Sequence, residues 1–472
     1  MSVARDILDD ILRRAGADAG GNTVDFIGED PVFNTRFHLG DLGAATVAAA
    51  ALQAGRLLEH RGGKPQHVTV PVDAAAAGMR SWRYLHEVPR PVTPEASNRK
   101  ESGNRLTSFY PTADDRWVYF QRAQQHHFDR QMGVLGLVED RSDEAIRAAT
   151  RTWKGEDLEL AVFEAGASGA MVRTREEWLR HPQGMATAEM PLFSITKIGD
   201  SAPEPASTGD RPLEGLRVLD LTRVLAGPTM ARTLAEQGAD VFRVSSPIWP
   251  AEGPVLIRDT GHGKRSAVLD LRTAKDKEAL DRMVRTADVF SEGFRPGAIA
   301  GLGYSPERLA ELRPGIISLS LSAFGGVGPW GNYRGFDSVV QAANGMSWQE
   351  RDETDMPRTT PGNVLDYASG YLAAFLVEQA LLLRERDGGS YHISLSLAQT
   401  GKYMDDLGTI DEALVQSAPA ELSDARIAEL STERETGYGR LAYLAPIAQM
   451  SGTPGRWDRP SVRADNGDAP EW

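Results

Sequence analysis

The sequence predicts an α/β fold, with a doubly wound, Rossmann-like parallel sheet in one domain and a second, smaller α+β domain. Two domains are expected because the chain has 472 residues, more than one hydrophobic core usually covers. From residue 216 onward, short apolar strands alternate with helices, which indicates parallel βαβ units with both sheet faces covered. Residues 198–215 separate the two halves and are rich in Pro, Ser, Gly and Asp, a composition typical of a linker.

The second half contains the clearest elements. The first strand is predicted over residues 216–222, and further strands are predicted in DVFRV, SAVLDL, DVFSEGF and GIISLSLS. Helices are predicted in AGPTMARTLAEQGA, DKEALDRMVRTA and SPERLAELRP, the last with Ser305 as N-cap and Pro306 as its first residue. A ligand is expected in the crevice at the carboxyl ends of such strands.

The first half mixes helical stretches with short strand candidates. Helices are predicted in DEAIRAATRTW and LELAVFEAGAS, and a strand in RWVYFQ, which favours an α+β domain. We therefore divide the chain into an N-terminal region (1–197), a linker (198–215), a Rossmann-like domain (216–404) and a C-terminal tail (405–472).

Composition excludes several classes of function. The chain has no cysteine, so disulfides, thiolate nucleophiles and cysteine-ligated metals are excluded, and its nine histidines show no metal-binding spacing. A formal charge of −14 argues against a general nucleic-acid binder. The first twenty residues do not resemble a signal peptide, and no stretch has the roughly 20 apolar residues of a membrane span. We therefore expect a cytoplasmic protein without a metal site.

An internal repeat links the two halves. Residues HLGDLGAATVAAAALQAGRLLEHRGGKPQHVTVPV align without a gap to NVLDYASGYLAAFLVEQALLLRERDGGSYHISLSL. At a constant offset of 325, Asp41 corresponds to Asp366 and His67 to His392. A weaker echo pairs 191–205 with 445–456, so the halves are expected to be incomplete copies of one ancestral unit.

Several consecutive motifs resemble the family III CoA-transferases, a group that includes formyl-CoA and carnitine CoA-transferases and α-methylacyl-CoA racemases. The resemblance covers about 211–400, from PLEGLRVLDLTRVLAGPTMARTLAEQGADVFRV through GKRSAVLDL, ADVFSEGFRPGAIAGLGYSPERLAELRPGIISLSLSAFG and RGFDSVVQAANG to the helix that carries Asp366. The N-terminal half resembles the later portion of such proteins. The modules thus stand in a shifted order and are partly duplicated.

The resemblance implies a CoA-transferase that moves CoA from an acyl-CoA to a small carboxylic acid, with no permanently bound cofactor. Asp366 would attack the acyl-CoA thioester to give a mixed anhydride, and returning CoA would form an aspartyl-CoA thioester. At the start of a helix, free N–H groups are expected to limit the rise in its pKa that burial causes. Taken alone, Asp366 is more simply a helix N-cap, but the surrounding motifs favour the nucleophile.

The resemblance also implies CoA-contacting residues: the backbone of Val224 and Ala226, the side chain of Lys264 at a phosphate, and Phe294 along the cofactor. Each has a simpler structural interpretation, as strand-end packing, a solvated turn or a core aromatic residue. The small residues Ser369 and Gly370 are expected to let a ligand approach the helix closely.

The sequence also departs from the pattern of these transferases. Ser245, Ser246 and Pro247 stand where an acid and an Arg-containing stretch are usual, and Gly293 and Gly301 replace an Asn and a basic residue. Several of the usual contacts to the CoA phosphates are therefore absent, and CoA is expected to be held through other residues, with Arg223, Arg258 and Arg295 as candidates.

Two other functions remain open in the sequence. A racemase needs a proton-transferring histidine where this chain has Phe336, which disfavours that function. A non-catalytic partner that keeps the fold without binding CoA is the second. The resemblance further implies an interlocked homodimer, although the shifted modules allow one chain to satisfy its own interface.

Overall fold

The computed structural model describes residues 2–89, 107–205, 209–248 and 255–472. Residues 206–208 of the predicted linker lie outside the described residues. Within the described part of the chain, no helix has both the length and the apolar composition needed to cross a membrane.

The N-terminal segment is a small α/β unit built around one long helix. Its elements, in chain order, are α1 (Val3–Ala15), β1 (Thr23–Ile27), α2 (Leu39–His60), β2 (His67–Pro71), α3 (Val72–Gly78) and β3 (His86–Glu87). Helix α2 is rich in alanine and buried over most of its length, so neighbouring elements pack closely on all sides of it.

The next segment is the predicted smaller α+β domain. Its elements are β4 (Thr107–Pro111), β5 (Trp117–Gln121), α4 (Gln125–Leu135), α5 (Asp143–Thr150), α6 (Gly155–Glu164), β6 (Gly169–Met171), α7 (Arg175–Arg180) and α8 (Pro182–Ala188). Strands β4, β5 and β6 form an antiparallel sheet in that order, and the helices pack against it through a separate apolar cluster. The strand and both helices predicted in this segment are confirmed.

The remaining chain forms the large domain and the tail. Its elements, in chain order, are β7 (Phe193–Gly199), β8 (Arg217–Asp220), α9 (Ala226–Glu236), β9 (Asp240–Ser245), α10 (Val255–Thr260), β10 (Lys264–Val268), α11 (Ala274–Val284), β11 (Val289–Glu292), α12 (Pro306–Leu312), β12 (Ile317–Ser322), α13 (Asp337–Ala343), α14 (Met346–Gln349), α15 (Val364–Asp387), β13 (Ser390–Ser396), α16 (Leu397–Asp406), α17 (Glu412–Ser417), α18 (Asp424–Leu430), β14 (Ser431–Thr436), β15 (Gly439–Leu444) and β16 (Gln449–Met450). The predicted strands and helices of this half are all present, and Ser305 caps α12 through its side chain with Pro306 following.

A seven-stranded sheet organises the large domain, in the order β10-β9-β8-β11-β12-β13-β7. Every neighbouring pair is parallel except β13 and β7, which are antiparallel. After β8, the chain adds β9 and then β10 on one side of β8. It then crosses back and adds β11 on the other side of β8. The sheet is therefore doubly wound, as predicted, and its switch point lies between β8 and β11.

The edge strand β7 crosses the predicted domain boundary at residue 197. It pairs with β13, so residues Phe193–Gly199 belong to the large sheet, although the sequence assigned most of them to the N-terminal region. The linker therefore begins only after Gly199. Periodicity identifies a strand but does not show which sheet it joins, so this assignment needed the tertiary structure.

The internal repeat extends to sheet topology. Strands β1 and β2, which precede and follow α2 in the sequence, pair in parallel. In the same way, β12 and β13, which precede and follow α15, pair in parallel. Strand β16 then runs antiparallel to β2, as β7 does to β13. Helices α2 and α15 pack against each other, so the two copies meet along the very helices that carry the repeated aspartates.

Candidate active site

A cavity of about 730 Å³ opens at the carboxyl ends of the parallel strands. Its walls include the segments that follow β8 and β11, the two strands at the switch point. Helix α4 of the smaller domain forms part of another wall. The crevice predicted from the strand pattern therefore exists, and two domains enclose it.

Four of the five predicted site residues line this cavity: Val224, Ala226, Phe294 and Asp366. They come from the segment after β8, the segment after β11 and the start of α15, so residues up to 142 positions apart in the sequence meet around one space. Of the alternative cations, Arg223 and Arg295 also line the cavity.

Lys264 lies elsewhere, at the amino end of β10. Its ammonium group is fully buried, lies 3.0 Å from a carboxylate oxygen of Asp220 and donates to the carbonyl of Pro228 at 3.0 Å. Burial lowers the pKa of Lys264 to about 8, although Asp220 opposes the shift. This position gives no support to the predicted contact with a CoA phosphate, because the charge is already neutralised inside the protein.

Arg258 is likewise engaged away from the cavity. Its guanidinium lies 3.2 Å from the carboxylate of Glu87 and 5.1 Å from the centre of the Tyr438 ring. It is not among the residues that line the cavity. Arg223, by contrast, lies 4.6 Å from the centre of the Phe294 ring, which places a cation and an aromatic face side by side on the cavity wall.

Asp366 is the third residue of α15 and does not cap it. The N-cap position is Asn363, and the carboxylate of Asp337 accepts the backbone N–H of Asp366 at 3.0 Å. Asp337 is the first residue of α13, so a second helix supplies the acceptor that the free N–H groups of α15 require. The simpler interpretation of Asp366, as an N-cap, is therefore excluded by its position.

The carboxyl groups of Asp366 and Asp337 are both buried, and the charge of Asp337 acts on Asp366. Burial raises the pKa of Asp366 well above its usual value, and the neighbouring charge of Asp337 raises it further. Burial also raises the pKa of Asp337, but hydrogen bonds from the backbones of Asp366 and Leu365 and the side chain of Gln341 oppose that rise. These hydrogen bonds favour the ionised form of Asp337, and Asp366 has no such donors among the described residues.

The pKa of Asp366 thus differs from the sequence-based expectation. The helix N–H groups were expected to limit its upward shift, but the backbone N–H groups of Leu365 and Asp366 are directed to Asp337 instead. No described hydrogen-bond donor contacts the Asp366 carboxylate, which is 6% exposed and borders the cavity. The group is desolvated and open to a ligand at the same time.

Gly370 serves helix packing rather than ligand approach. A Cβ atom at this position would lie 2.5 Å from the carbonyl oxygen of Ala226 and 2.7 Å from the Cβ atom of Thr229. Its missing side chain therefore lets α15 approach the start of α9 closely. Ser369 is also engaged internally, since its hydroxyl lies 2.7 Å from that of Thr400.

The backbone just before α9 is strained. Val224 has φ of +70°, a conformation that β-branched residues rarely adopt. The strain lies on the cavity wall, next to the start of α9, where the backbone N–H groups of Ala226 and Gly227 have no acceptor among the described residues. Strained residues concentrate at binding sites, where the surrounding structure holds them.

The smaller domain contributes residues that sequence reasoning did not identify. His126, His127 and Arg130 of α4 line the cavity, together with Arg334 from the segment before α13. The ring of His127 makes an edge contact with Phe336, with centroids 5.6 Å apart. In the sequence, these two histidines are adjacent, in QRAQQHHFDRQ, and directly follow a predicted strand. That position is the sequence feature that could have identified them as site residues.

In the N-terminal copy, the hydrogen bond between the backbone of one aspartate and the carboxylate of another recurs, but the helix aspartate does not border the cavity. Asp41 donates its backbone N–H to Asp30 at 2.7 Å, as Asp366 does to Asp337, and its carboxylate lies 3.1 Å from Nδ1 of His38. These three side chains place potential metal-ligand atoms within 4.8 Å of one another, a cluster that the scattered histidines did not suggest. Asp41 is 1% exposed and does not line the cavity, so only the second copy meets the crevice.

Comparison with known proteins yields one family. A family model described as "CoA-transferase family III" matches residues 15–191 and 213–429. The chain is 37% identical over 196 residues to a "probable fatty acyl-CoA transferase" of Mycobacterium tuberculosis, covering 39% of this chain and 50% of that protein. It is 34% identical over 203 residues to a "succinate--glutarate CoA-transferase" of Agrobacterium fabrum, covering 39% and 51%.

A crystal structure of the M. tuberculosis protein matches with a TM-score of 0.39 and 34% identity, over 42% of this chain and 59% of that one. This chain spans about half the length of these curated relatives. The family model, by contrast, extends over both halves of the chain and includes both repeated helices. The chain therefore belongs to CoA-transferase family III.

Proposed function

We propose that this protein transfers CoA from an acyl-CoA donor to a carboxylic acid acceptor, with Asp366 as the nucleophile. One observation carries the proposal: Asp366 presents a desolvated carboxylate, without a described hydrogen-bond donor, to a cavity at the switch point of the sheet. Its relatives in the family are named as CoA-transferases of carboxylic acids, which supports the same chemistry.

The proposed reaction begins when a carboxylate oxygen of Asp366 attacks the thioester carbonyl. The C–S bond breaks, CoA thiolate leaves and a mixed anhydride forms. The thiolate then attacks the Asp366 carbonyl carbon and releases the first acid, which leaves an aspartyl-CoA thioester. The acceptor carboxylate repeats the two steps in reverse order, so a new acyl-CoA forms and the Asp366 carboxylate is regenerated.

The environment of Asp366 supports a nucleophilic role once the proton has left. A carboxylate that is removed from water is more reactive than a hydrated one, because attack does not require loss of a hydration shell. Ala226 and Gly227, at the start of α9, line the same cavity, and their backbone N–H groups, which have no described acceptor, are suited to an oxyanion or a phosphate. Val224, Ala226 and Phe294, on the same wall, are the proposed contacts for CoA.

The proposal predicts a specific loss of activity in Asp366→Asn. The amide keeps the shape of the side chain but cannot attack a thioester, so transferase activity should fall by about three orders of magnitude or more while the variant still folds. Wild-type protein given acyl-CoA and hydroxylamine should form a hydroxamate at Asp366, which peptide mass spectrometry would locate.

Asp41→Asn is the matched control, because Asp41 occupies the same helix position in the copy that does not meet the cavity. Its turnover should stay close to wild type. An active Asp366→Asn variant together with an inactive Asp41→Asn variant would assign the reaction to the N-terminal copy.

Two other functions are separable by experiment. A non-catalytic partner should bind neither CoA nor acyl-CoA, so titration calorimetry with CoA distinguishes it directly. A racemase would exchange the proton next to the thioester carbonyl with solvent deuterium. Phe336 cannot transfer a proton and borders the cavity at the position concerned, so we expect no such exchange.

A further inference from the structure

Three potential metal ligands meet at the start of α2, in the N-terminal copy. They are Asp30 and His38, from the segment before the helix, and Asp41, its third residue. One ligand atom from each lies within 4.8 Å of the other two, and Nδ1 of His38 lies 3.1 Å from a carboxylate oxygen of Asp41. Two atoms that bind one Zn²⁺ ion at about 2.1 Å are about 3.4 Å apart at a tetrahedral angle, so His38 and Asp41 already have nearly the spacing of two ligands.

The carboxylate of Asp41 is incompletely satisfied inside this cluster. Asp41 is 1% exposed, and its oxygen Oδ1 has no hydrogen-bond donor among the described residues. The other oxygen, Oδ2, is the one that lies beside His38. A buried carboxylate oxygen without a partner is costly, and a metal ion at the centre of the three side chains would compensate for that cost.

The cluster also lacks a permanent positive charge. Asp30 and Asp41 supply two carboxylates, and in the described part of the chain neither forms an ion pair with a lysine or an arginine. The cationic partner of Asp41 is His38, which is charged only when it is protonated. A divalent cation would neutralise both carboxylates at once.

The second copy shows which feature is particular to this site. His38 corresponds to Asn363 at the same offset of 325, and each is the N-cap residue of its long helix, with a ψ of 61°. Asp30 and Asp337 both accept a backbone N–H group of that helix, so this hydrogen bond accounts for an acid in each copy but does not require a histidine. The side chain of Asn363 accepts from Trp82 at 2.9 Å. The N-terminal copy thus has an imidazole where the copy at the cavity has an amide.

We propose that Asp30, His38 and Asp41 bind a divalent transition-metal ion such as Zn²⁺. One imidazole nitrogen with two carboxylate oxygens is a donor set that suits such ions, whereas Mg²⁺ and Ca²⁺ prefer oxygen ligands alone. The side chain of His38 is 16% exposed, so the ion can enter from the surface and water can complete its coordination. Binding requires Nδ1 of His38 without a proton, so bonds to the ion replace the hydrogen bond to Asp41.

The ion has a structural role that goes beyond the proposed transfer of CoA and does not depend on it. Asp41 does not line the cavity, and the three ligands join the segment before α2 to the helix itself. Because metal binding to the folded chain adds to its stability, the ion holds residues 30–38 against the start of α2. Removal of the ion should lower the melting temperature and leave the reaction at the cavity in place.

The test measures Zn²⁺ binding to the full chain after dialysis against a chelator. Titration calorimetry should show one Zn²⁺ per chain, and the melting temperature should rise with Zn²⁺ concentration. His38→Asn introduces the residue that the second copy has at this position, so its melting temperature without Zn²⁺ should match that of metal-free wild type. This variant and Asp41→Asn should each weaken Zn²⁺ binding at least about 100-fold, because a direct ligand contributes more than an outer-shell residue.

His67→Gln is the matched control, because His67 lies 3.4 Å from Asp25 in an exposed histidine–aspartate pair of the same small unit. Its Zn²⁺ affinity should equal that of wild type. The inference is overturned if wild type binds no Zn²⁺, if His38→Asn binds it as tightly as wild type, or if Mg²⁺ binds wild type equally well. Loss of binding in His67→Gln would likewise overturn it, by placing the ion at the exposed pair. None of these measurements requires a transferase assay, so they leave the proposed function to its own test.

Discussion

At the scale of single residues, the proposed chemistry involves a pair of aspartates rather than a single one. Asp337 accepts the backbone N–H groups at the start of α15, which leaves the carboxylate of Asp366 without a described donor. The backbone hydrogen bond recurs between Asp41 and Asp30, although the Asp41 carboxylate also lies 3.1 Å from Nδ1 of His38. Burial, with Asp41 as a second cause, raises the pKa of Asp30 to about 6. The cavity, and not the hydrogen bond, therefore distinguishes the proposed active copy.

The pair of aspartates predicts a pH dependence. The proposed nucleophile is the ionised form of Asp366, whose pKa is raised. The kcat/KM for acyl-CoA should therefore rise with pH, and this rise should occur above the pH range in which an aspartate usually ionises. Asp337→Asn removes the neighbouring negative charge and should move this rise to lower pH, since one of the two causes of the shift is lost.

Asp30→Asn makes the same change in the N-terminal copy and should leave the pH profile of kcat/KM unchanged. Both profiles can be measured by steady-state kinetics between about pH 4 and pH 9, and the apparent pKa values belong to the pair of carboxyl groups. A rise that stays in place or moves to higher pH in Asp337→Asn would contradict the electrostatic account of Asp366.

At the scale of elements, the contact between α15 and α9 sets the geometry of the cavity. Gly370 lets the two helices approach, and the strained residue Val224 immediately precedes α9. Both copies of the long helix are buried along most of their length, and α2 packs against α15. The apolar helix that follows Asp366 therefore fixes the position of its carboxylate.

Gly370→Ala should disturb this contact. The added Cβ atom would lie 2.5 Å from the Ala226 carbonyl, so the helices must separate, at a cost of about 1–3 kcal/mol in the free energy of unfolding. Because Val224 and Ala226 line the cavity, the KM for acyl-CoA should also rise. Denaturant unfolding and steady-state kinetics measure the two effects.

Gly133→Ala is a suitable control, since Gly133 lies inside α4 and no atom lies within 4 Å of its added Cβ. This variant should raise the free energy of unfolding by about 0.5–1 kcal/mol through helix propensity. If Gly370→Ala were as stable as wild type with the same KM, close approach of α9 would not be what shapes the cavity.

At the scale of the whole molecule, residues from both halves of the chain line one cavity. The smaller domain follows α2 in the sequence, yet its helix α4 covers the crevice of the sheet that follows it. The two repeated helices meet inside the same chain. One chain therefore supplies both the proposed nucleophile and the proposed contacts for CoA.

The homodimer implied by the family resemblance remains a prediction. Light scattering at micromolar protein concentration should give twice the mass of the chain, and the apparent melting temperature should rise with protein concentration, because association stabilises the folded state. A single-chain mass with a melting temperature independent of concentration would instead favour the pairing of α2 with α15 as a substitute for a second subunit.

The sequence by itself determined the local features of this protein: the alternating strands and helices, the helix of Asp366, the repeat at Asp41 and the family. These follow from periodicity, capping and ordered motifs, which neighbouring residues encode. Only the tertiary structure paired Asp337 with Asp366, brought His127 against Phe336, and buried Lys264 against Asp220. Those contacts join residues tens to hundreds of positions apart, and they depend on which faces of the elements meet once the sheet is wound.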